Sequence, residues 1–240
     1  MSDAIDTRKS ILVVDDEDDL RHLVGRVLTD AGFVVREAID GGDALARIRE
    51  HPPDLVLLDL MMPVLDGWGV LERFKALDKP PAVVVLTARG DEHAFMRCVQ
   101  AGVSGYLPKP FQLADLISTC NKVLAATLNG PPKDSERRRL PRRDLMVKVR
   151  VIADQKTPVA LGELVNISTG GAQVNLVAEL QPGSRVRVAL HIASGGEGIK
   201  FEGRIQWRAA AADGFAHGVE FVDLDDPTRQ RLERLFRPAA

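Results

Sequence analysis

The first half of the chain alternates short apolar runs with segments whose apolar residues recur at helical spacing. The apolar runs predict β-strands, and the segments between them predict amphipathic helices. The continuous apolar run Leu55–Leu58 is typical of a strand that is buried on both faces. Repeated strand–helix units with short connections predict an α/β doubly wound domain, a parallel sheet with helices on both faces. The predicted strands are 11–14, 33–36, 55–58, 82–86 and 104–107, and the predicted helices are 18–31, 41–50, 69–77, 92–101 and 113–128.

The pattern changes after residue 128. Residues 129–132 contain one glycine and two prolines, which cannot continue a helix. We therefore expect a linker at 129–135 between a first domain at 8–128 and a second at 136–238. In the second, apolar and polar residues alternate with period two between Gly/Pro turns, which predicts an antiparallel barrel or sandwich. Asp226-Pro227 predicts the start of a terminal helix.

Composition agrees with two globular domains. The 240 residues are 45% hydrophobic and 28% charged, and they contain no run of eighteen apolar residues and no basic-then-apolar leader. We therefore expect a cytoplasmic protein without a membrane span. Its two cysteines, Cys98 and Cys120, are expected to be small buried residues in a reducing cytosol.

The net charge of −2 hides an asymmetry between the halves. Residues 1–128 carry 20 Asp and Glu against 14 Lys and Arg, whereas residues 129–240 carry 14 against 18. This difference in charge predicts two modules with different partners. For the basic second module it predicts an anionic partner.

Polar side chains follow the predicted strands of the first half at the points where the strands end. Asp15 and Asp16 follow the first strand, Asp59 the third, Thr87 the fourth and Lys109 the fifth. The carboxyl ends of parallel strands converge on one crevice. Three carboxylates there repel one another, and a hard divalent cation with oxygen ligands removes that repulsion. The set predicts a Mg²⁺ site beside an aspartate that can accept a phosphoryl group.

An alternative for the acidic stretch 15–19 is a helix start that is favourable to the helix dipole. It accounts for residues 17–19 but not for acids that meet Asp59 and Lys109. With these residues in order, residues 8–128 resemble the receiver domain of two-component response regulators. The other matching segments are Met61-Met62-Pro63-Val64-Leu65-Asp66-Gly67, Thr87-Ala88 and Tyr106-Leu107-Pro108-Lys109-Pro110-Phe111.

The resemblance implies a flavodoxin-like receiver whose Asp59 takes a phosphoryl group from a sensor histidine kinase or phosphotransfer protein. It implies that Mg²⁺ is held by Asp16, Asp59 and the backbone carbonyl of Met61, with Asp15 acting through a metal-bound water. Thr87 and Lys109 would then contact the phosphate, the Lys109-Pro110 bond being cis.

Tyr106 would act as a switch, a half-buried structural ring being the alternative. Asp66-Gly67 is expected to be a turn and helix cap. The protein would be a signalling protein rather than an enzyme, although the receiver promotes its own phosphotransfer, and it could form a homodimer through the receiver.

Two polar signatures mark the second half. The first is an arginine cluster, whose guanidinium groups can fork onto phosphate and stack on bases. It comprises Arg137, Arg138, Arg139 and Arg142. The second is the turn Asn166–Gly171, whose side-chain oxygens and amides suit a guanine edge and a close phosphate. A solvated linker and nucleic-acid binding are the alternatives for the arginines. No helix-turn-helix follows, so we expect no DNA partner.

RRxxR at Arg138–Arg142 and NxSxxG at Asn166–Gly171 resemble the two signatures of the PilZ domain, and the segments 203–207 and 218–221 are similar to its barrel strands. The resemblance implies an all-β six-stranded PilZ barrel with a C-terminal helix that binds cyclic di-GMP. The family usually has Asp where this chain has Asn166, and a neutral amide accepts hydrogen bonds more weakly. The ligand residues implied are Arg137, Arg138, Arg139, Arg142, Asn166, Ser168, Gly170 and Gly171.

Two points stay open on the sequence. Arg137 could stack on a second ligand molecule. The barrel could instead be a phosphorylation-controlled protein-interaction module that does not bind nucleotide, although the complete arginine set favours the ligand. In either case the expected output is an unidentified protein partner. Trp207 is expected in the barrel core rather than at the ligand, and His191 and His217 are expected to be structural.

Overall fold

The computed structural model of the chain describes residues 8–88, 92–129, 143–153, 160–190, 199–211 and 213–236. The chain divides into two compact units, Met1–Thr87 with Phe111–Gly130 and Ala88–Pro110 with Pro131–Ala240. Within the described ranges, no helix combines the length and the hydropathy that a membrane span requires. The domain bounds given above, 8–128 and 136–238, stay a prediction.

Strands and helices alternate through the first half of the chain, and their ends lie within three residues of the predicted ones. The elements are β1 (Ser10–Val14), α1 (Asp18–Asp30), β2 (Val34–Ala38), α2 (Gly41–Glu50), β3 (Leu55–Asp59), α3 (Gly67–Phe74), β4 (Ala82–Thr87), α4 (Glu92–Ala101), β5 (Gly105–Pro108) and α5 (Leu113–Asn129). In the first unit the parallel strands run in the order β2-β1-β3-β4. Helix α1 contacts α5, and α2 contacts α3. The doubly wound α/β fold is confirmed.

Local sequence explains these elements. Every residue of β3 is buried, as its continuous apolar run predicts for a central strand. Two aspartates cap helices by accepting backbone N–H groups that the first helical turn leaves unpaired. Asp40 accepts from Gly42 and Asp43 at the start of α2. Asp66 accepts from the N–H of Gly69, 2.8 Å away, at the start of α3, so its predicted role as a turn and cap is confirmed.

The second half forms a closed antiparallel barrel of six strands. The elements are β6 (Arg143–Ala153), β7 (Ala160–Ile167), β8 (Gly171–Leu176), β9 (Arg185–Leu190), β10 (Lys200–Ala211), β11 (Gly214–Phe221) and the terminal helix α6 (Asp226–Phe236). The strand order is β6-β7-β8-β11-β10-β9, and β9 pairs back to β6. The predicted six-stranded barrel with a C-terminal helix is confirmed. In the same unit, Gly105 of β5 pairs in parallel with Met146 of β6, and α4 contacts α6.

The barrel interior follows the period-two pattern of the sequence. Alternate residues of β6, Leu145, Val147, Val149 and Val151, are buried, and Phe201 stacks on Phe221 with ring centroids 4.8 Å apart. His217 is fully buried, and its Nε2 accepts the N–H of Leu180 at 3.0 Å. This contact supports the structural role expected for His217; His191 lies outside the described residues.

The expected place of Trp207 in the barrel core is wrong. Ile205, two residues earlier on the same strand, is buried in the interior, but Trp207 is 41% exposed. The register of β10 against β11 shifts between Ile205 and Trp207, so the strand contains a β-bulge there. The bulge inserts one residue into the alternation and turns Trp207 to the outer wall.

Candidate functional site

Three aspartates meet at the carboxyl ends of β1 and β3. These strands are parallel neighbours, with Val14 opposite Leu58, so Asp15 and Asp59 stand one position further along on adjacent strands. One carboxylate oxygen from each of Asp15, Asp16 and Asp59 lies within 4.8 Å of the others. Asp15 is 2% and Asp59 is 5% exposed, whereas Asp16 is exposed. The structure thus brings together the three acids that the sequence singled out.

Backbone groups orient the two buried carboxylates. Asp15 Oδ1 accepts the N–H of Glu17 at 3.0 Å, and Asp59 Oδ1 accepts the N–H of Met61 at 2.8 Å. A Cβ on Gly67 would lie 2.3 Å from the carbonyl oxygen of Asp59, so only glycine lets the loop after β3 return so close to that strand. The loop that carries Met61 is therefore held against the acids.

Arg21 is a residue of this site that the sequence reasoning missed. Its side chain is buried, and Nη1 donates to the carbonyl oxygen of Asp15 at 2.8 Å. Burial lowers the pKa of Arg21, but the hydrogen bond and charge of Asp18 and the charge of Glu37 outweigh burial and raise that pKa above its ordinary value. A usable signal was its spacing, because Arg21 precedes the buried Val24 by three residues and so lies on the buried face of α1.

The donor set fits a hard divalent cation. Carboxylate and carbonyl oxygens are the ligands that Mg²⁺ prefers, and two of the three carboxylates are buried close together. Asp16, Asp59 and the carbonyl of Met61 would hold the ion, and Asp15 would hold it through a water.

The remaining predicted residues of the first site lie on β4 and β5. Thr87 ends β4 and is fully buried; it is one position past Leu86, which pairs with Asp59. Tyr106 on β5 is buried and packs edge-on against Phe95 with centroids 5.3 Å apart, so it is more deeply buried than a half-buried ring. Lys109 directly follows β5, and the Lys109–Pro110 bond is cis, as predicted. Tyr106 and Lys109 belong to the second unit.

The NxSxxG turn of the barrel is built around Ser168. Both its N–H and its hydroxyl donate to the carbonyl oxygen of Gly171, at 2.8 and 3.0 Å. Phe221 donates its N–H to the carbonyl oxygen of Gly170 at 3.0 Å. A Cβ on Gly171 would lie 2.3 Å from the carbonyl oxygen of Val219, so this position admits only glycine. The turn is therefore closed internally and fixed to β11.

Asn166 stands at the start of this turn and is 5% exposed. Its Nδ2 donates to Oε1 of Gln173 at 3.2 Å, which orients the amide. The arginines 137, 138, 139 and 142 lie outside the described residues. Strand β6 begins at Arg143, directly after them, and Arg143 pairs with Ile167 while Asp144 pairs with Asn166. The chain that follows the arginine signature therefore runs beside the strand that carries Asn166.

The two cysteines take no part in either site. Cys98 and Cys120 are both buried, and burial raises the pKa of each thiol to about 12. A thiol that stays protonated is a poor nucleophile, so both behave as the small buried residues that the sequence predicted.

Two different domain families match the two halves of the chain. The family model of the response regulator receiver domain matches residues 11–121, and that of the PilZ domain matches residues 136–237. The chain is 40% identical over 118 residues to the transcriptional regulatory protein PrrA of Mycobacterium bovis, a match that covers 49% of this chain and 51% of PrrA. The chain thus spans about half the length of PrrA.

Shorter relatives are matched over nearly their whole length. The chemotaxis protein CheY of Bacillus subtilis is 36% identical over 115 residues, which cover 48% of this chain and 96% of CheY. Among solved structures, the receiver domain of the Francisella response regulator 1452 is 28% identical with a TM-score of 0.48, covering 50% of this chain and 99% of that one. With the acids in place and both family models matched, the chain belongs to the response regulator family and joins a receiver domain to a PilZ domain.

Proposed function

We propose that this protein is a cytoplasmic two-component response regulator with two inputs. A sensor histidine kinase or phosphotransfer protein phosphorylates Asp59, and the PilZ barrel binds cyclic di-GMP and signals to a protein partner. The observation that carries the first input is the convergence of Asp15, Asp16 and Asp59 within 4.8 Å at the ends of two parallel strands. Two of these carboxylates, Asp15 and Asp59, are buried, and a bound cation offsets the repulsion between like charges held this close.

The chemistry is a phosphoryl transfer. A carboxylate oxygen of Asp59 attacks phosphorus in line, the P–N bond of the phosphohistidine breaks, and its electron pair returns to the imidazole, which takes up a proton. Mg²⁺, when bound, neutralises charge that builds on the transferred oxygens. The Met61 N–H holds Asp59 in its orientation. Lys109 supplies a point charge to a phosphate oxygen, the Thr87 hydroxyl turns to the new phosphate, and Tyr106 responds as the switch.

Labelling with a small phosphodonor tests this input directly. With Mg²⁺ and radioactive acetyl phosphate, the wild-type protein should be labelled and Asp59→Ala should not. Asp19→Ala is the matched control, because Asp19 is an exposed acid of the same acidic stretch and should leave labelling unchanged. Equal labelling of Asp59→Ala at the same site would show that Asp59 is not the phosphoacceptor.

The second input is supported by the rigid NxSxxG turn beside the strand that follows the arginine signature. Titration calorimetry of the full chain with cyclic di-GMP tests it, with cyclic di-AMP as the control ligand. Saturable binding of the guanine ligand alone supports the proposal. Absence of binding favours the other candidate, a phosphorylation-controlled protein-interaction module that does not bind nucleotide.

The output proposed here is protein–protein contact, by the barrel toward a downstream protein and by the receiver toward a second copy of the chain. The basic balance of residues 129–240 could also attract DNA. Salt-dependent retention of the full chain on DNA would therefore contradict the proposed output.

A further inference from the structure

The buried guanidinium of Arg21 contacts three segments that meet beside the acid cluster. Its Nη1 donates to the carbonyl oxygen of Asp15 at 2.8 Å, and its Nη2 donates to a carboxylate oxygen of Asp18 in the first turn of α1. Its Nε lies 3.3 Å from Oε2 of Glu37 on β2. A guanidinium is planar and presents its donors in a fixed fork, so these contacts hold the end of β1, the start of α1 and β2 in one arrangement.

Two acids of the cluster, Asp15 and Asp16, lie in the turn that this guanidinium holds. The N–H of Asp15 donates to the carbonyl oxygen of Ala38 at 3.2 Å, and its own carbonyl oxygen accepts from Arg21. Within the part of the chain that the structure describes, the side chain of Glu17, at the N-cap of α1, makes no capping hydrogen bond. The helix therefore begins without the side-chain cap that commonly fixes such a turn, and Arg21 supplies a substitute.

Glu37 is itself held beside α1, so that it can contact Arg21. Its Oε2 lies 2.6 Å from Nδ1 of His22. A Cβ added to Gly25 would lie 2.5 Å from Oε1 of Glu37, so the carboxylate fills the space that a larger residue at position 25 would need. Glycine is among the least favourable residues inside a helix, and what it permits at this position is the close approach of Glu37.

We propose that Arg21 is a positioning residue that makes the acid cluster selective for Mg²⁺ over Ca²⁺. This inference rests on the proposed metal site. Mg²⁺ demands near-ideal octahedral geometry with oxygens at about 2.0–2.1 Å, whereas Ca²⁺ accepts longer and more variable distances. Arg21 acts on the backbone carbonyl of Asp15 and so fixes the turn from which two of the three carboxylates project. A fixed turn favours the ion with the stricter geometric demand.

The test is the pair of dissociation constants of the full chain for Mg²⁺ and for Ca²⁺, each measured by calorimetry. In Arg21→Met the ratio of the Ca²⁺ constant to the Mg²⁺ constant should fall about tenfold, because Mg²⁺ affinity drops while Ca²⁺ affinity is nearly kept. Loss of the positive charge alone would act on both divalent ions alike and leave the ratio unchanged. Arg21→Lys keeps the charge but not the fork of donors, so it should lose the same selectivity. Arg26→Met, at an exposed arginine of the same helix, is the control and should keep the wild-type ratio.

Gly25→Ala is a second variant, which leaves Arg21 and the three acids in the sequence but displaces Glu37. The three nearest atoms to the added Cβ all belong to the flexible side chain of Glu37, so that carboxylate moves away from Arg21. Alanine favours the helix, so the variant should melt no lower than wild type, while the ratio should fall by part of the Arg21→Met effect.

Two results would overturn the positioning role and leave the proposed metal site standing. One is a wild-type protein that binds Mg²⁺ without preferring it to Ca²⁺. The other is an unchanged ratio in folded Arg21→Met, or in both Arg21→Lys and Gly25→Ala should Arg21→Met fail to fold. If wild type binds neither ion, the metal site and the role of Arg21 both fall.

Discussion

The receiver and the barrel bring distant residues together in opposite ways. In the receiver, parallel strands end at one edge. Asp15, which directly follows β1, and Asp59, the last residue of β3, meet there because each stands at the carboxyl end of its strand. In the barrel, neighbouring strands are antiparallel, so their carboxyl ends alternate between the two ends of the barrel. The candidate ligand residue Asn166 lies on the outer wall instead. Asn166 and Trp207 reach that wall through bulges that break the alternation of β7 and β10. The parallel sheet thus places its candidate site by topology, whereas in the barrel a local irregularity of β7 decides the direction of Asn166.

The largest expected effect tests whether the receiver site depends on its converging acids. Asp16→Ala removes a carboxylate from the cluster and should abolish measurable Mg²⁺ binding in calorimetry at millimolar Mg²⁺. Asp19→Ala, an exposed acid three residues along, should bind Mg²⁺ as wild type does. Equal affinity in the two variants would mean that convergence of these acids is not what holds the ion.

The next effect tests the arginine side of the barrel site. Arg138→Ala and Arg142→Ala should each weaken cyclic di-GMP binding by about 1.5–3 kcal/mol, on the order of tenfold to a hundredfold, because each removes a charge-assisted contact. Unchanged calorimetric affinity in both variants would place the pocket elsewhere.

The substitution Asn166→Asp tests how the side chain at position 166 contributes to binding of cyclic di-GMP. It should bind cyclic di-GMP at least as tightly as wild type, because a carboxylate is the stronger acceptor. Gln173 can turn its amide to donate to the new carboxylate. A clear loss of affinity in Asn166→Asp would show that the amide N–H of Asn166 contributes to recognition.

A smaller effect asks whether the two sites communicate. Within the second unit, the N–H of Met146 on β6 donates to the carbonyl oxygen of Ser104 at 3.0 Å, two residues before Tyr106. If Tyr106 moves as proposed, this hydrogen bond connects that movement to β6, the strand that follows the arginine signature. We expect a coupling of about 1–3 kcal/mol, reciprocal between the two ligands. Cyclic di-GMP affinities that are equal with and without beryllofluoride on Asp59 would leave two independent modules.

The smallest effect concerns the stability of the barrel. Burial lowers the pKa of His217 below its ordinary value of 6.5. Just below pH 6.5 this histidine is protonated in the unfolded chain but still neutral in the folded barrel. The free energy of unfolding should therefore fall as the pH drops through about 6.5, and the contribution of His217 should be constant above that pH. Urea midpoints at about pH 5.5 and 7.5 measure this difference. His217→Gln should reduce it, and the exposed His93→Gln should not; equal pH dependence in all three proteins would contradict the assignment.

Hydrophobic periodicity was sufficient for most of the fold because it records burial directly. The apolar run of β3 and the cap at Asp66 both lie where the sequence predicted. Arg21 escaped prediction because an arginine is normally solvated, and its burial depends on Asp18, Glu37 and the carbonyl of Asp15. Those partners lie on two elements and a loop that only the folded chain brings around one guanidinium.

The sequence by itself determined the two modules, the strand ends that carry Asp15, Asp59 and Thr87, and the turn from Asn166 to Gly171. These features follow from chain-local causes: periodicity, turn residues and the position of a residue relative to its own strand. The tertiary structure alone decided that Trp207 and Asn166 face outward. A bulge exists only relative to the strand that pairs with it, so the direction of these two side chains is a property of strand register, which no single segment encodes.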